Sequence, residues 1–257
     1  MFTRLDWSIH RDSRIARLPR VAQPAALLLR NLNSKNWIAP LKTYHHRADG
    51  IATRHNVDFM HEERFQKAYR RAVAASGWDY GIPFRVHQAL WCSRQAQKVE
   101  GDFVELGTGR GFMMSAVLAD FHNWETAQRS LHLFDIFKDD SSKKNNSQSV
   151  YTKSVEDVVA NFSEWTRVKI HHGDIFDTLS KTIIGSVAFL HIDMNRPDPE
   201  IYGLRTLWDR LSRGGVVLLD DYAYEGYEPQ YKAMNDLSRE IGFDILTTAT
   251  GQGIIIK

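Results

Sequence analysis

The sequence predicts an α/β protein built on a doubly wound, Rossmann-like, mostly parallel seven-stranded sheet with a C-terminal antiparallel hairpin. Three observations carry that expectation. From residue 102 onward, short apolar strand-like runs alternate with amphipathic helical patterns, as parallel strands joined by right-handed crossovers require. A glycine-rich turn follows the first of these runs, and acids stand at the ends of the later ones. The last stretch then breaks the alternation with two strand-like runs, 243–249 and 253–257, around Thr250-Gly251-Gln252, which signals a hairpin.

Taken in order, residues 1–55 read as a basic N-terminal extension or lid, and 56–257 as the main domain. The extension is broken by Pro19, Pro24 and Pro40 and has one short helix-like stretch, 25–32. Its first 50 residues hold nine basic side chains against three acidic ones, so it suits a surface or subunit-packing arm and a route to a homo-oligomer. Apolar Phe65, Ala68, Tyr69, Ala72 and Val73 mark one face of a helix over 60–75. A second helix covers 84–97, after Pro83. The strand-like runs are 102–106, 131–134, 168–171, 187–192 and 216–219. Between them lie helical patterns over 112–121, at Val155, Val158, Val159 and Phe162, and at Ile201, Leu204, Leu207, Trp208 and Leu211. Ser154, three residues before Asp157, marks a helix start, as do Asp198-Pro199 and Pro229. Residues 139–149 are all polar or charged and read as a surface loop after the second strand.

Composition narrows the function classes. At 257 residues, 43% hydrophobic and 25% charged, the chain is an ordinary globular one. Thirty-three basic against thirty-one acidic residues leave +2, too balanced to imply a nucleic-acid partner. A single cysteine, Cys92, excludes an internal disulfide framework and a thiolate zinc site. No apolar run approaches the roughly 20 residues of a membrane span, and the expected location is cytoplasmic.

In an open α/β sheet the ligand sits beyond the carboxyl ends of the strands, at the switch point, so those ends are the candidate site. The first strand runs into Glu105-Leu106-Gly107-Thr108-Gly109-Arg110-Gly111, a GxGxG turn that lets a ligand approach the backbone. The dinucleotide fingerprint would need glycine where Phe112 stands, which disfavours NAD. Asp135, at the end of the second strand, can accept both hydroxyl protons of a ribose. Asp174, after the third, can accept from an exocyclic adenine amine. Asp193 ends the fourth strand and Asp220-Asp221 the fifth. Three converging carboxylates repel one another without a cation, and hard oxygen ligands suit Mg²⁺, Mn²⁺ or Ca²⁺.

Together with Leu131-His132-Leu133-Phe134-Asp135, Gly173-Asp174-Ile175-Phe176-Asp177-Thr178-Leu179, His191-Ile192-Asp193 and Gly214-Gly215-Val216-Val217-Leu218-Leu219-Asp220-Asp221-Tyr222, the glycine turn resembles the macrocin O-methyltransferase (TylF-like) family. These are class I S-adenosylmethionine-dependent methyltransferases that methylate sugar hydroxyls of natural products with a bound magnesium ion. The resemblance covers roughly residues 53–257. It implies that Glu105, Gly107, Thr108, Gly109, Arg110 and Gly111 hold the methionine part of S-adenosyl-L-methionine, that Asp135 holds its ribose, and that Asp174, with Ile175 beside it, holds its adenine. It also implies that Asp193, Asp220 and Asp221 bind the metal, Asp193 lying against the cofactor as well and serving as general base. One departure is clear: the family continues the fourth strand as Asp-x-Asp-Leu-Tyr, where this chain has Asp193-Met194-Asn195-Arg196-Pro197.

The expected activity is therefore metal-assisted O-methylation of a small hydroxylated acceptor, a sugar or glycoside. Methylation of a catechol, which also offers two adjacent oxygens to a metal, is the alternative within the class. A DNA amino-methyltransferase is excluded by the absence of its Asn/Asp-Pro-Pro-Tyr/Phe motif. Outside catalysis stands a module that binds S-adenosylmethionine or serves assembly without turnover. His191 is either a core histidine or a partner of the site, and Cys92 is a small packed residue. Tyr222, Tyr224 and Tyr227 are candidates for the wall of an acceptor pocket or for packing.

Overall fold

The structure, a computed structural model, describes residues 44–137 and 154–257. The arm over 1–43 with its 25–32 stretch, any subunit contact through it, and the polar run 139–149 lie outside the described residues. Contacts divide the chain into two units, Met1–Arg47 with Ala52–Asn56, and Ala48–Ile51 with Val57–Lys257. In the first, His45 N donates to Thr53 O at 3.0 Å, and the Arg54 guanidinium lies 5.7 Å from the Tyr44 ring centroid.

Two short strands, β1 (His46–Ala48) and β2 (Ile51–Thr53), form a two-stranded sheet, and both turn residues, Asp49 and Gly50, have positive φ. The second unit continues with α1 (Glu63–Ser76) and α2 (Pro83–Ala96). Helix α1 buries Phe65, Ala68, Ala72 and Ala75 and stops at Gly77 in the left-handed conformation, as the apolar spacing predicts. The alternation then runs β3 (Asp102–Leu106), α3 (Phe112–Asp120), β4 (Leu131–Asp135), α4 (Val155–Phe162), β5 (Val168–His172), α5 (Ile175–Lys181), β6 (Val187–Ile192), α6 (Pro197–Leu207), β7 (Leu211–Leu219), α7 (Glu228–Ile241), β8 (Leu246–Thr247) and β9 (Gly253–Ile256). Ser154 caps α4, its hydroxyl accepting from Asp157 N at 3.2 Å.

The seven strands lie in the order β5-β4-β3-β6-β7-β9-β8. Only β9 runs against its neighbours, β7 and β8. Strand alternation splits the core into two layers. Phe103, Leu133, Phe189 and Leu218 face Phe65, Val86, Met114 and Phe162 of α1 to α4. Val104, Phe134, Leu190 and Leu219 face Ile175, Leu204, Met234 and Leu237 of α5 to α7. Phe103, Phe134, Phe189 and Leu190 are fully buried, each contributing about 1.5–3 kcal/mol relative to an exposed position. The chain reverses order between β3 and β6, so the switch point lies at their carboxyl ends.

Four expectations shift in the details. Met60 belongs to a 3₁₀ turn, Asp58–His61, ahead of α1. Leu211 is not the end of the helical stripe: α6 stops at Leu207, a 3₁₀ turn follows, and Leu211 opens β7. The β6–β7 register shifts between Val187 and Phe189, and the Ser212-Arg213-Gly214-Gly215 stretch has no apolar alternation to announce a strand. Helix α5 follows β5 directly and has only Ile175 and Leu179 buried, too little periodicity to read as a helix. The hairpin strands are shorter than the apolar runs that predict them.

Candidate active site

The glycine turn and the acids converge on the carboxyl ends of β3, β4, β6 and β7. Gly107, Gly109 and Gly111 all have positive φ, at 92°, 55° and 83°. Gly107 meets β6 end-on: a Cβ there would lie 1.9 Å from the Asp193 carbonyl oxygen. Asp135 ties the turn down, its Oδ2 accepting from Gly109 N at 2.7 Å and its Oδ1 from Phe137 N at 3.0 Å. Thr108 is buried. The Arg110 guanidinium reaches the end of α1, donating to Ser76 O at 2.7 Å, so its backbone rather than its charge belongs to the turn. Gly173 N donates to Asp135 O at 2.9 Å, which brings the β5 end alongside. Asp174 there is exposed and caps α5 through Phe176 N at 3.0 Å; Ile175 is buried beneath it.

Parallel register explains the deeper layer. Glu105 stands directly opposite His191, and His191 opposite Leu218, so Asp220, two residues on, faces the same side. His191 Nδ1 lies 3.0 Å from Glu105 Oε1, and its Nε2 faces Asp220 Oδ1 at 3.8 Å, beyond hydrogen-bond distance. Burial opposes a charge on His191, but Asp220 and Glu105 overcome it and lift the imidazole to about 10. Burial raises the Glu105 carboxyl in turn. His191 is thus a partner of the site, set between Glu105 and Asp220.

Asp193, Asp220 and Asp221 each offer one carboxylate oxygen, and the three atoms lie within 4.8 Å of one another. Burial and repulsion by Asp220 and Asp221 push the Asp193 carboxyl well up. Asp221 rises to about 6, from burial and the charge of Asp220. Burial would raise Asp220 too, but His191 and Arg85 hold it down at about 2. Acids that repel this strongly could hold a cation between them. The donor set, hard oxygens with no thiolate, fits Mg²⁺, Mn²⁺ or Ca²⁺.

Three partners of the acids, Arg85, Gln252 and Glu200, carry no local sequence signal. Arg85 in α2 is buried and its Nη1 donates to Asp220 Oδ2 at 2.7 Å and Asp221 Oδ1 at 3.1 Å. Its Nε donates to Asp49 at 3.1 Å, and the Tyr224 ring centroid lies 4.4 Å from its Cζ. Gln252, in the C-terminal hairpin turn, donates to Asp220 Oδ1 at 2.7 Å. Glu200 is buried in the first turns of α6; burial and the charge of Asp221 raise it to about 8, against the nearby backbone of Met194, Asn195 and Arg196, which favours its ionised form. Tyr227 donates to Asn195 Oδ1 at 2.6 Å, and Asn195 Nδ2 donates to Asp193 Oδ1 at 3.2 Å. The three tyrosines therefore separate: Tyr222 is core, bonded to Asn235 at 3.0 Å, while Tyr224 and Tyr227 join the acid rim. Cys92 is fully buried, its thiol pushed up to about 12 by that burial.

A doubly wound sheet in this strand order, with a glycine turn facing an acidic rim across the switch point, has the architecture of the class I methyltransferases. The O-methyltransferase NovP shares the fold, with a TM-score of 0.57 at 23% identity over 74% of this chain and 88% of that one. The model of the macrocin O-methyltransferase (TylF) family matches residues 84–244, and the chain belongs to that family of S-adenosylmethionine-dependent O-methyltransferases. Among curated relatives, an 8-demethyl-8-(2,3-dimethoxy-α-L-rhamnosyl)-tetracenomycin-C 4'-O-methyltransferase of Streptomyces olivaceus is 28% identical, over 62% of this chain and 66% of that enzyme. A demethyldecarbamoylnovobiocin O-methyltransferase of Streptomyces niveus is 24% identical, over 73% of this chain and 81% of that enzyme. Among the described residues, no helix is long and apolar enough to cross a membrane.

Proposed function

We propose that this protein transfers the methyl group of S-adenosylmethionine to a hydroxyl of a sugar or glycoside, assisted by a divalent cation, Mg²⁺ by preference. The observation that carries the reading is the convergence of Asp193, Asp220 and Asp221 beside the glycine turn. The names of the two curated relatives support a glycosylated acceptor. In this reading residues 56–257 catalyse, and the protein works in the cytoplasm.

The backbone of 105–111 takes the methionine end of the cofactor, Asp135 the ribose and Asp174 the adenine amine. Asp135 has already spent one lone pair of each oxygen on Gly109 and Phe137, and the remaining pairs accept the ribose hydroxyls. Asp193, Asp220 and Asp221 would hold the cation, which when bound lowers the pKa of the acceptor hydroxyl. The sulfonium carbon is already electrophilic, so holding the hydroxyl in line with it supplies much of the rate. Asp193 takes the hydroxyl proton, one of its oxygens, Oδ1, also accepting from Asn195 Nδ2 at 3.2 Å. His191 is fully buried with its Nδ1 3.0 Å from Glu105, and Arg85 keeps its proton. Both hold the acids in place instead.

The test is mass-spectrometric detection of a methylated glycoside, with Asp193→Ala as the comparison. The variant should lose turnover while S-adenosylhomocysteine binding stays within about 3-fold, well under 1 kcal/mol. Undiminished methyl transfer would remove Asp193 from the mechanism.

A further inference from the structure

We propose that Tyr227 and Asn195 form a clasp between the β6–α6 and β7–α7 loops that positions Asp193 toward the cation; this rests on the metal-assisted reading above. The chemistry of the three groups gives the chain one direction. With a cation seated on it Asp193 is ionised and only accepts, so the Asn195 amide must turn its Nδ2 to it, as the 3.2 Å contact has it. The amide oxygen is then left to accept, and the Tyr227 hydroxyl supplies the proton at 2.6 Å. One Asp193 oxygen is fixed by this chain and the other is left free.

The loop that carries Asn195 is built to hold this pose. Asn195 sits in the left-handed region at φ 59°, a conformation that asparagine adopts more readily than other side-chain-bearing residues. The loop leaves β6 with Asp193 N bonded to Leu106 O at 2.8 Å, and Glu200 is buried just beyond it. On the other side, Tyr227 directly precedes α7 and is anchored at both ends: its N–H donates to Tyr224 O at 3.1 Å, and its carbonyl accepts from Tyr231 N at 3.1 Å. Two loops 32 residues apart in sequence are thus joined by one side-chain bond at the mouth of the site. Asn195 and Tyr227 do not touch reacting atoms in this account; they are positioning residues that act through Asp193.

Two mild variants test the clasp. Tyr227→Phe removes only the hydroxyl, and Asn195→Gly removes the amide while suiting the left-handed backbone. Mg²⁺ alone, then S-adenosylhomocysteine alone, are titrated calorimetrically into the whole protein. Asn195→Gly should weaken Mg²⁺ binding about 5–10-fold, the loss of one hydrogen bond to a charged group, and Tyr227→Phe about 3–5-fold, the loss of the neutral bond that orients the amide. The double variant should be no weaker than the worse single one, because the two bonds act as a unit. S-adenosylhomocysteine affinity should not move. Unchanged Mg²⁺ affinity, multiplying losses, or a parallel loss of S-adenosylhomocysteine binding would each overturn the clasp. A wild-type protein that binds S-adenosylhomocysteine but no divalent cation would instead overturn the metal reading, and the clasp's role with it.

Discussion

Two glycines in the same turn should respond very differently to alanine. At Gly107 a methyl group would sit 1.9 Å from the Asp193 carbonyl oxygen and 2.5 Å from its carbon, both backbone atoms, on a residue at φ 92°. The ends of β3 and β6 must part by roughly 1.5 Å to restore an ordinary contact of about 3.4 Å, as overpacked sites do. That movement stretches the bond from Asp193 N to Leu106 O, now 2.8 Å. Left-handed strain of about 1–2 kcal/mol, overpacking of about 1–3 kcal/mol and a weakened hydrogen bond of about 1 kcal/mol together put Gly107→Ala at about 3–6 kcal/mol. Gly109 has φ 55° and nothing within 4 Å of its would-be Cβ, so Gly109→Ala should cost only the backbone strain, about 1–2 kcal/mol. Urea unfolding reads both as shifts in midpoint at constant slope. Equal losses in the two variants would refute the claim that Gly107 is required by contact with β6 rather than by backbone conformation alone.

Three further outcomes follow from the same geometry. Glu200 is raised to about 8 from an unfolded value near 4.5, so its contribution is fully present below pH ~4.5 and lost as pH rises through ~8; by linkage the loss approaches about 5 kcal/mol. Glu200→Gln cannot ionise, and its stability relative to wild type should rise between pH 5 and 9 in thermal melts; a constant difference would contradict the shift. The Asp120 carboxylate is fully buried between Arg64 and Arg94, with Nε contacts of 2.6 and 2.8 Å. Asp120→Ala should cost about 3 kcal/mol, near the lower end for breaking a buried pair, because Arg64 is half exposed and can turn to water; a loss under about 0.5 kcal/mol would put this pair in the class of surface bridges. Chelation with EDTA should stop methyl transfer and readdition of Mg²⁺ restore it, whereas S-adenosylhomocysteine should still stabilise the chelated protein against heat; turnover that survives chelation would count against the cation.

The elements that position the site were largely legible, because each short apolar strand carries its functional acid at its own carboxyl end. Glu105, Asp135, Asp193 and Asp220 stand where strand periodicity ends, and the structure brings the last two together with Asp221. What stayed illegible is non-local. Arg85 lies in an ordinary helical pattern, and its meeting with Asp220 and Asp221, 135 and 136 residues away, depends on how α2 packs across β7. Gln252 reads as a turn residue and Glu200 as a charge in the first turn of a helix; both reach the acids only once β9 and α6 are docked. His191 was half visible: its place before Asp193 marks it, but the bond to Glu105 needs the β3–β6 register. Arg110 shows the reverse error of proximity, since the sequence sets it inside the turn and its side chain leaves for Ser76.

The most direct test of the account is methyl transfer from S-adenosylmethionine to a panel of glycosides and catechols, followed by mass spectrometry with Mg²⁺ present and after chelation. The account predicts a singly methylated glycoside that forms with Mg²⁺, disappears on chelation and is not made by Asp193→Ala. Transfer confined to catechols, or to glycosides with and without the cation alike, would contradict it.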